Sequence, residues 1–174
     1  MPAANGYKIS ARGLEDRVVS DRLGALLISN PCNPTGAVVS GDDLRGWVEM
    51  GRRRGCTLLM DEFYSHYHYT GKGDAAAGPV SSASYVEDVN GDPVVIIDGL
   101  TKCYRYPGWR VGWVVAAKDV IQRLTAAGSF LDGGPCRPIQ RAAIEVLKPE
   151  RADQETTAMR NEFAIKRKIT LERL

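Results

Sequence analysis

Three short segments of this sequence carry side chains that could do chemistry. The segment SNPCNPTG at 29–36 contains Asn30 and Asn33, whose amides can donate hydrogen bonds to a ligand oxygen. The segment LLMDEFY at 58–64 places Asp61 directly after an apolar run. The segment DGLTKCYRYPGWRVGW at 98–113 contains Lys102 and, eight residues later, Arg110. Together these residues supply an amide donor, a carboxylate, an amine and a guanidinium.

Each of these residues also has an ordinary structural explanation. Asparagines in a Pro-Gly loop often hold the loop together, an aspartate often caps a helix or pairs with a cation, and a lone lysine is usually solvated. The combination is more informative because each residue follows a different predicted strand. Side chains at the ends of neighbouring strands converge on one crevice, which predicts a shared pocket.

The elements that position these loops are short apolar runs that alternate with helical patterns. The runs are ALLIS at 25–29, CTLLMD at 56–61, VVIID at 94–98 and VGWVVA at 111–116. This alternation predicts an α/β fold, a three-layer α/β/α arrangement around a mainly parallel sheet. We expect the first three strands to be parallel neighbours. The fourth follows Lys102 too closely for a crossover helix, so it should run antiparallel to the third.

Helical patterns fill the intervals between these strands. One helix is predicted over about 41–54, with Ser40 as its N-cap and Gly55 as its stop. Its last turn contains three arginines, 52–54, which we interpret as a solvated helix end. Further helices are predicted around 120–124, after Pro138, and from Ala152 onward, the last without a terminator at the end of the sequence. The Gly- and Ala-rich stretch 71–84 is predicted to be a mobile surface connection.

Composition narrows the functional classes. The net charge is +2 over 174 residues and no basic block alternates with aromatics, which argues against nucleic-acid binding. The four cysteines form no Cys-x-x-Cys pair, and no segment has the length and apolarity of a membrane helix or signal peptide. These features favour a cytoplasmic protein. His66 and His68 lack a third ligand and are interpreted as part of a polar loop beside the site, so no metal site is predicted.

Taken in order, the three segments resemble those of fold-type I enzymes that depend on pyridoxal 5'-phosphate (PLP), the aminotransferase class I and II group. The matching motifs are the Asn-Pro-x-Asn-Pro-Thr-Gly loop, the Asp-x-x-Tyr strand end, and a lysine followed eight residues later by an arginine within Pro-Gly-x-Arg-x-Gly. The resemblance spans nearly the whole chain. It implies transamination between an amino acid and a 2-oxo acid by a homodimeric enzyme.

The resemblance also implies a role for each matching residue. Lys102 corresponds to the lysine that forms a Schiff base with PLP and moves a proton to and from the substrate carbon. Asp61 corresponds to the aspartate that pairs with the pyridine nitrogen. Asn33 and Tyr64 correspond to the donors to the ring oxygen, and Arg110 corresponds to the arginine that binds the phosphate.

The chain departs from the family pattern three residues before the lysine. Many members carry a phosphate-binding serine there, whereas this chain has Gly99. Thr101 is the nearest hydroxyl and is a candidate phosphate contact, or else a cap of the local turn. Trp109 and Trp113 flank Arg110 and are interpreted as packing residues around the lysine loop.

The resemblance assigns residues 1–174 to part of the large, PLP-binding domain. The segment that stacks on the cofactor ring and the small domain with the substrate-carboxylate arginine fall outside these residues. Two alternative functions share the same motifs. One is a PLP-dependent lyase or synthase of the aminocyclopropane-carboxylate synthase type, and the other is the ligand-sensing domain of a transcription regulator.

Overall fold

The computed structural model describes residues 3–69 and 78–174. In chain order the helices and strands are α1 (Ala11–Ser20), β1 (Ala25–Ser29), α2 (Asp42–Arg54), β2 (Thr57–Asp61), β3 (Val94–Gly99), β4 (Gly112–Val115), α3 (Lys118–Leu131), α4 (Arg137–Val146) and α5 (Pro149–Leu171). Short 3₁₀ helices lie between several of these elements. Among the helices described, none is both long and apolar enough to cross a membrane.

The four strands form one sheet in the order β1-β2-β3-β4. The first three are parallel, and β4 runs antiparallel to β3. Both the α/β fold class and the predicted pairing are therefore confirmed. β2 begins at Thr57 and not at Cys56, because the Cys56 N–H donates to Gly51 O and so belongs to the turn that ends α2.

The main core lies between one face of the sheet and the helices α1 and α2. Leu58 and Met60 of β2 are fully buried there, and Trp47 of α2 is 1% exposed. α1 contributes Leu14 and Val18. The sequence analysis did not predict α1, because two buried positions in ten residues are too few to indicate a helix by periodicity.

The opposite face of the sheet is less covered along its β1 edge. Leu27 is 74% exposed, and its partner Leu59 on β2 is half-buried. Parallel sheets are normally covered on both faces, so this edge is unusual. A second, smaller core cluster joins Leu100 and Val111 to Ala143 of α4, next to the segment that carries Lys102.

The first turn of α2 differs from its prediction. Its N-cap is Gly41 and not Ser40, and no side chain caps the helix. Asp43 instead accepts a hydrogen bond from the Ala11 N–H at 3.2 Å, which joins α2 to α1. The predicted stop is confirmed, since Gly55 ends the helix with a left-handed φ of 61°.

The interpretation of the three arginines as a solvated helix end is correct for Arg53 and Arg54, which are exposed, and wrong for Arg52, which is half-buried. Arg52 forms two hydrogen bonds to the buried carboxylate of Asp92, one of them 2.8 Å long. Arg53 and Arg54 both reach Glu15 of α1, at 3.0 and 2.7 Å. The run therefore attaches α2 to its neighbours.

The prediction for the stretch 71–84 was also wrong in the part that the structure describes. Residues 70–77 lie outside the described residues. Beyond them, Ser82 begins a 3₁₀ helix and is fully buried. The buried Glu62 carboxylate accepts hydrogen bonds from the Ser82 N–H at 2.8 Å and from its hydroxyl at 2.6 Å, which fixes this segment beside β2.

Candidate active site

The predicted site residues lie at one edge of the sheet. Asp61 is the last residue of β2, and Asn33 lies in the loop that follows β1. Lys102 lies in the loop that follows β3. Because these three strands are parallel, all three loops leave the sheet at its carboxyl edge, where open α/β sheets bind ligands.

Side chains from these loops are in direct contact. The Asn33 Nδ2 donates a hydrogen bond to the Tyr64 hydroxyl at 3.0 Å. The Lys102 Nζ lies 5.6 Å from the centroid of the Tyr64 ring. Tyr64 follows Asp61 by three residues, so it links the loops that carry Asn33, Asp61 and Lys102.

The charged residues of this edge have few partners. Asp61 is half-buried and accepts a hydrogen bond from the Phe63 N–H at 3.3 Å. Arg110 is exposed and donates to Pro107 O at 3.0 Å. Within the described parts of the chain, neither residue nor Lys102 forms an ion pair. A carboxylate, an amine and a guanidinium that form no internal ion pair fit a ligand that has a protonated ring nitrogen, a carbonyl group and a phosphate.

Asn30 does not have the ligand-binding role that was considered for it. The residue is 2% exposed, its Nδ2 donates to Val39 O at 2.8 Å, and its Oδ1 accepts from the Val39 N–H at 2.9 Å. Both ends of the amide are thus used to close the Asn-Pro loop. Only Asn33 presents its amide at the candidate site.

The departure at Gly99 has a steric explanation. A Cβ atom added at this position would lie 2.8 Å from Val111 O and 2.9 Å from the Gly112 Cα. Both neighbours are backbone atoms of the adjacent strand region, so a serine does not fit without a shift of the sheet edge. Thr101 is half-buried, and in the described residues its hydroxyl makes no hydrogen bond that caps the turn.

Asp98 belongs to the same edge, and the sequence analysis did not single it out. Burial raises the pKa of its carboxyl to about 7, although the Gly99 N–H donates to it, and the nearby Glu62 and Asp61 raise it further. The residue follows an apolar run just as Asp61 does. This position at the end of an apolar run is the one feature of the sequence that could have identified Asp98 as a site residue.

A cavity of about 500 Å³ opens beside the contact between Asn33 and Tyr64. Its far wall comes from α5, which contributes Phe163, Lys166 and Arg167. Asp61 and Lys102 do not line this cavity. The sequence predicted the helix but not that its side chains border the site, because the contact is between residues more than a hundred positions apart.

The histidine pair and the tryptophans lie next to this edge. His66 and His68 are both half-buried, and burial lowers the pKa of His66 to about 4. No cluster of three metal-ligating side chains occurs in residues 3–69 and 78–174. Trp109 packs against Tyr106 with ring centroids 4.4 Å apart, and Trp113 joins the smaller core cluster, so both pack around the lysine loop as predicted.

Comparison with known proteins agrees with this arrangement of fold and site. The family model "Aminotransferase class I and II" matches residues 1–174, and the chain belongs to this family, whose members depend on PLP. The chain is 28% identical to an aspartate aminotransferase of Pyrococcus abyssi over 98% of its length. It is also 28% identical, over the same share of its length, to the aromatic-amino-acid aminotransferase 2 of Thermococcus litoralis.

Solved structures show the same relationship. An aromatic aminotransferase from Pyrococcus horikoshii superimposes with a TM-score of 0.85 at 29% identity and covers 100% of this chain. This chain in turn covers 44% of that one. It likewise spans 42% of the length of each of the two curated relatives named above.

Proposed function

We propose that residues 1–174 are the PLP-binding part of the large domain of an aminotransferase, which transfers an amino group between an amino acid and a 2-oxo acid. The observation that carries this proposal is the contact of Asn33 and Lys102 with Tyr64 at the carboxyl edge of the sheet. Unrelated surface residues have no reason to converge in this way.

Lys102 and Asp61 have the central roles in this proposal. PLP, when bound, supplies an electron sink for the carbanion formed at the substrate carbon. Lys102 is the attachment point and then carries the proton to and from that carbon. Asp61 forms no ion pair in the described residues, so its carboxylate is available to the ring nitrogen and would favour the protonated form of that nitrogen.

The remaining residues hold and orient the cofactor. Asn33 and Tyr64, already hydrogen-bonded to each other, donate toward the ring oxygen. Arg110 binds the phosphate, for which its planar guanidinium suits two oxygens at once. Thr101 is a further phosphate contact, because its half-buried hydroxyl is not used by the turn.

The proposal also includes the oligomeric state and the cellular location of the protein. Apolar side chains on α3 and α4 are open to solvent, with Phe130 95%, Leu131 83% and Ile144 66% exposed. Exposed apolar patches of this kind support a homodimer, with the partner covering these helices. All four cysteines are free thiols, which supports a reducing compartment such as the cytoplasm.

The test is covalent trapping. We expect borohydride reduction of the chain in the presence of PLP, followed by peptide mass analysis, to place one pyridoxyl group on Lys102. Lys102→Ala should abolish this label while leaving the fold intact, since the side chain is exposed. The exposed Lys118→Ala is the control and should keep the label. A label on another lysine in the wild-type chain would show that the assignment of Lys102 is wrong.

Turnover by these residues alone should be weak. Catalysis needs groups that act only in the transition state, and the substrate-carboxylate arginine implied by the family lies outside this sequence. We expect little or no lysine-dependent transfer with aspartate or aromatic amino acids paired with 2-oxo acids. Robust turnover that Lys102→Ala removes would contradict this expectation and show that residues 1–174 suffice.

A further inference from the structure

The residue that follows Lys102 is anchored inside the protein. Cys103 is 0% exposed, and its thiol donates a hydrogen bond to Phe63 O at 3.1 Å. The Ser65 hydroxyl lies 3.8 Å from the same sulfur atom. Phe63 and Ser65 flank Tyr64, so the thiol joins the lysine loop to the segment that carries Tyr64.

The thiol keeps its proton at neutral pH. Burial raises the pKa of Cys103 to about 11, so the S–H group is present as a donor. A thiolate could not donate to Phe63 O, and that carbonyl would then lack a hydrogen-bond partner among the residues that the structure describes. The hydrogen bond from the thiol to Phe63 O is therefore present at neutral pH.

A second contact ties the same loop to the same segment. The Tyr67 hydroxyl donates to the Lys102 carbonyl oxygen at 3.4 Å. The Tyr67 ring also packs edge-on against Tyr64, with centroids 5.5 Å apart. The backbone at Lys102 is thus held at its own carbonyl by Tyr67 and through the next side chain by Cys103.

We propose that Cys103 is a positioning residue, whose buried thiol fixes the backbone of Lys102 relative to Tyr64 and Asp61. This rests on the proposed role of Lys102 as the residue that attaches PLP. Consecutive Cα atoms are about 3.8 Å apart, so a shift at Cys103 is transmitted directly to Lys102. Reacting groups tolerate misplacement poorly, and an error of about 1 Å can cost on the order of a hundredfold in rate.

The experiment compares two buried cysteines of this chain. Cys103→Ala removes the donor beside the lysine, and Cys56→Ala removes an equally buried sulfur in the turn that precedes β2. Two measurements are made on each variant: the rate at which PLP and borohydride label Lys102, and the rate at which acetic anhydride acetylates Lys102 relative to the exposed Lys118 at one fixed pH, which needs no cofactor. Circular dichroism and urea unfolding establish that each variant is folded.

We expect Cys103→Ala to slow labelling of Lys102 on the order of tenfold and to change its relative rate of acetylation, because the backbone at Lys102 is no longer held in place. Cys103→Val fills the space without a donor and should behave in the same way, including if the alanine variant does not fold. Cys103→Ser restores a donor and should recover most of the rate. Cys56→Ala should leave both measurements unchanged.

Two results would overturn the proposal. One is wild-type labelling and acetylation in both Cys103→Ala and Cys103→Val, and the other is an equal change in Cys56→Ala. Failure of the proposed function gives a different pattern. In that case PLP would not label Lys102 even in the wild-type chain, whereas the relative acetylation rate of Lys102 would still separate the Cys103 variants from the control.

Discussion

Arg52 and Arg110 carry the same charged group in opposite surroundings. Arg52 binds Asp92 and also donates to Tyr85 O at 2.6 Å, in a region where its side chain is 24% exposed. Arg110 is exposed and its hydrogen bond is to a neighbouring backbone carbonyl. The framework around α2 thus neutralises its charges internally, whereas the carboxyl edge of the sheet leaves them available for a ligand.

The acidic residues show the same division. The hydrogen bond from Arg52 lowers the pKa of Asp92 to about 2. At the carboxyl edge, burial raises the pKa of Asp98 to about 7. One region therefore stabilises the ionised form of its carboxyl group and the other penalises it. Stability and binding capacity lie in different parts of the molecule, which the following substitutions can test.

The largest expected effect is loss of stability in the framework. Arg52→Ala leaves the buried Asp92 carboxylate without its cation and should lower the free energy of unfolding by about 3 kcal/mol. Urea unfolding measures this change. Arg45 pairs with Asp42 on the surface, so Arg45→Ala is the control and should cost less than about 0.5 kcal/mol. Equal effects of the two substitutions would contradict the distinction between framework and surface.

The same pair predicts a response to acid. Because the folded pKa of Asp92 is below the ordinary aspartate pKa of 3.8, its contribution to stability is present above that pH and is lost as the pH falls toward about 2. Arg52→Ala should remove this part of the acid sensitivity. Unfolding free energies measured between pH 5 and 2 in the two proteins would converge as the pH falls.

Asp98 should show the opposite pH dependence. Between pH 3.8, the ordinary pKa of an aspartate, and about pH 7, the folded state retains a proton that the unfolded state has lost, so stability falls as the pH rises. Asp98→Asn keeps the acceptor for the Gly99 N–H without the charge and should stabilise the chain by about 2 kcal/mol at pH 8. The exposed Asp119→Asn is the control. A wild-type stability that is flat from pH 4 to 7 would contradict this prediction.

A smaller effect is expected when the family's serine is restored. Gly99→Ser brings a Cβ against the backbone at Val111 and Gly112 and should cost about 1–2 kcal/mol in the free energy of unfolding. Its hydroxyl should not improve phosphate binding, because the strand must shift to admit it. Tighter PLP binding by this variant, with unchanged stability, would contradict this prediction. It would show that the backbone at Val111 and Gly112 can move to admit a side chain at position 99.

The smallest effect on stability is expected at the carboxyl edge. Arg110→Ala should change the free energy of unfolding by less than about 0.5 kcal/mol, because the side chain is exposed and its hydrogen bond is to a neighbouring backbone carbonyl. It should nevertheless weaken PLP binding on the order of tenfold through loss of a charge-assisted hydrogen bond. Pyridoxal without its phosphate is the matched ligand, and its binding should not change. Equal weakening of the binding of both ligands would show that Arg110 does not bind the phosphate.

Local pattern was sufficient to predict most of the fold. The apolar runs at 25–29 and 94–98 became β1 and β3, and α2 was predicted to within one residue at its start. Antiparallel pairing of β4 followed from the short connection after β3 alone. These features depend on neighbours in sequence, through side-chain periodicity and the reach of a short loop. α1 was missed because its two buried residues are recognisable only against α2.

The sequence by itself also determined which residue types are available at the site and in what order. Asn33, Asp61 and Lys102 each follow a strand, and parallel strands must bring their ends to one edge. Only the tertiary structure decided how these residues are used. In the folded chain the Asn30 amide bonds to the backbone of its own loop, and a side chain at Gly99 would clash with the neighbouring backbone. The Cys103 thiol, next to Lys102 in the sequence, is buried and donates to Phe63 O. Each of these outcomes depends on a contact with a segment distant in the sequence or on the packing of one loop, and periodicity and spacing carry no information about such contacts.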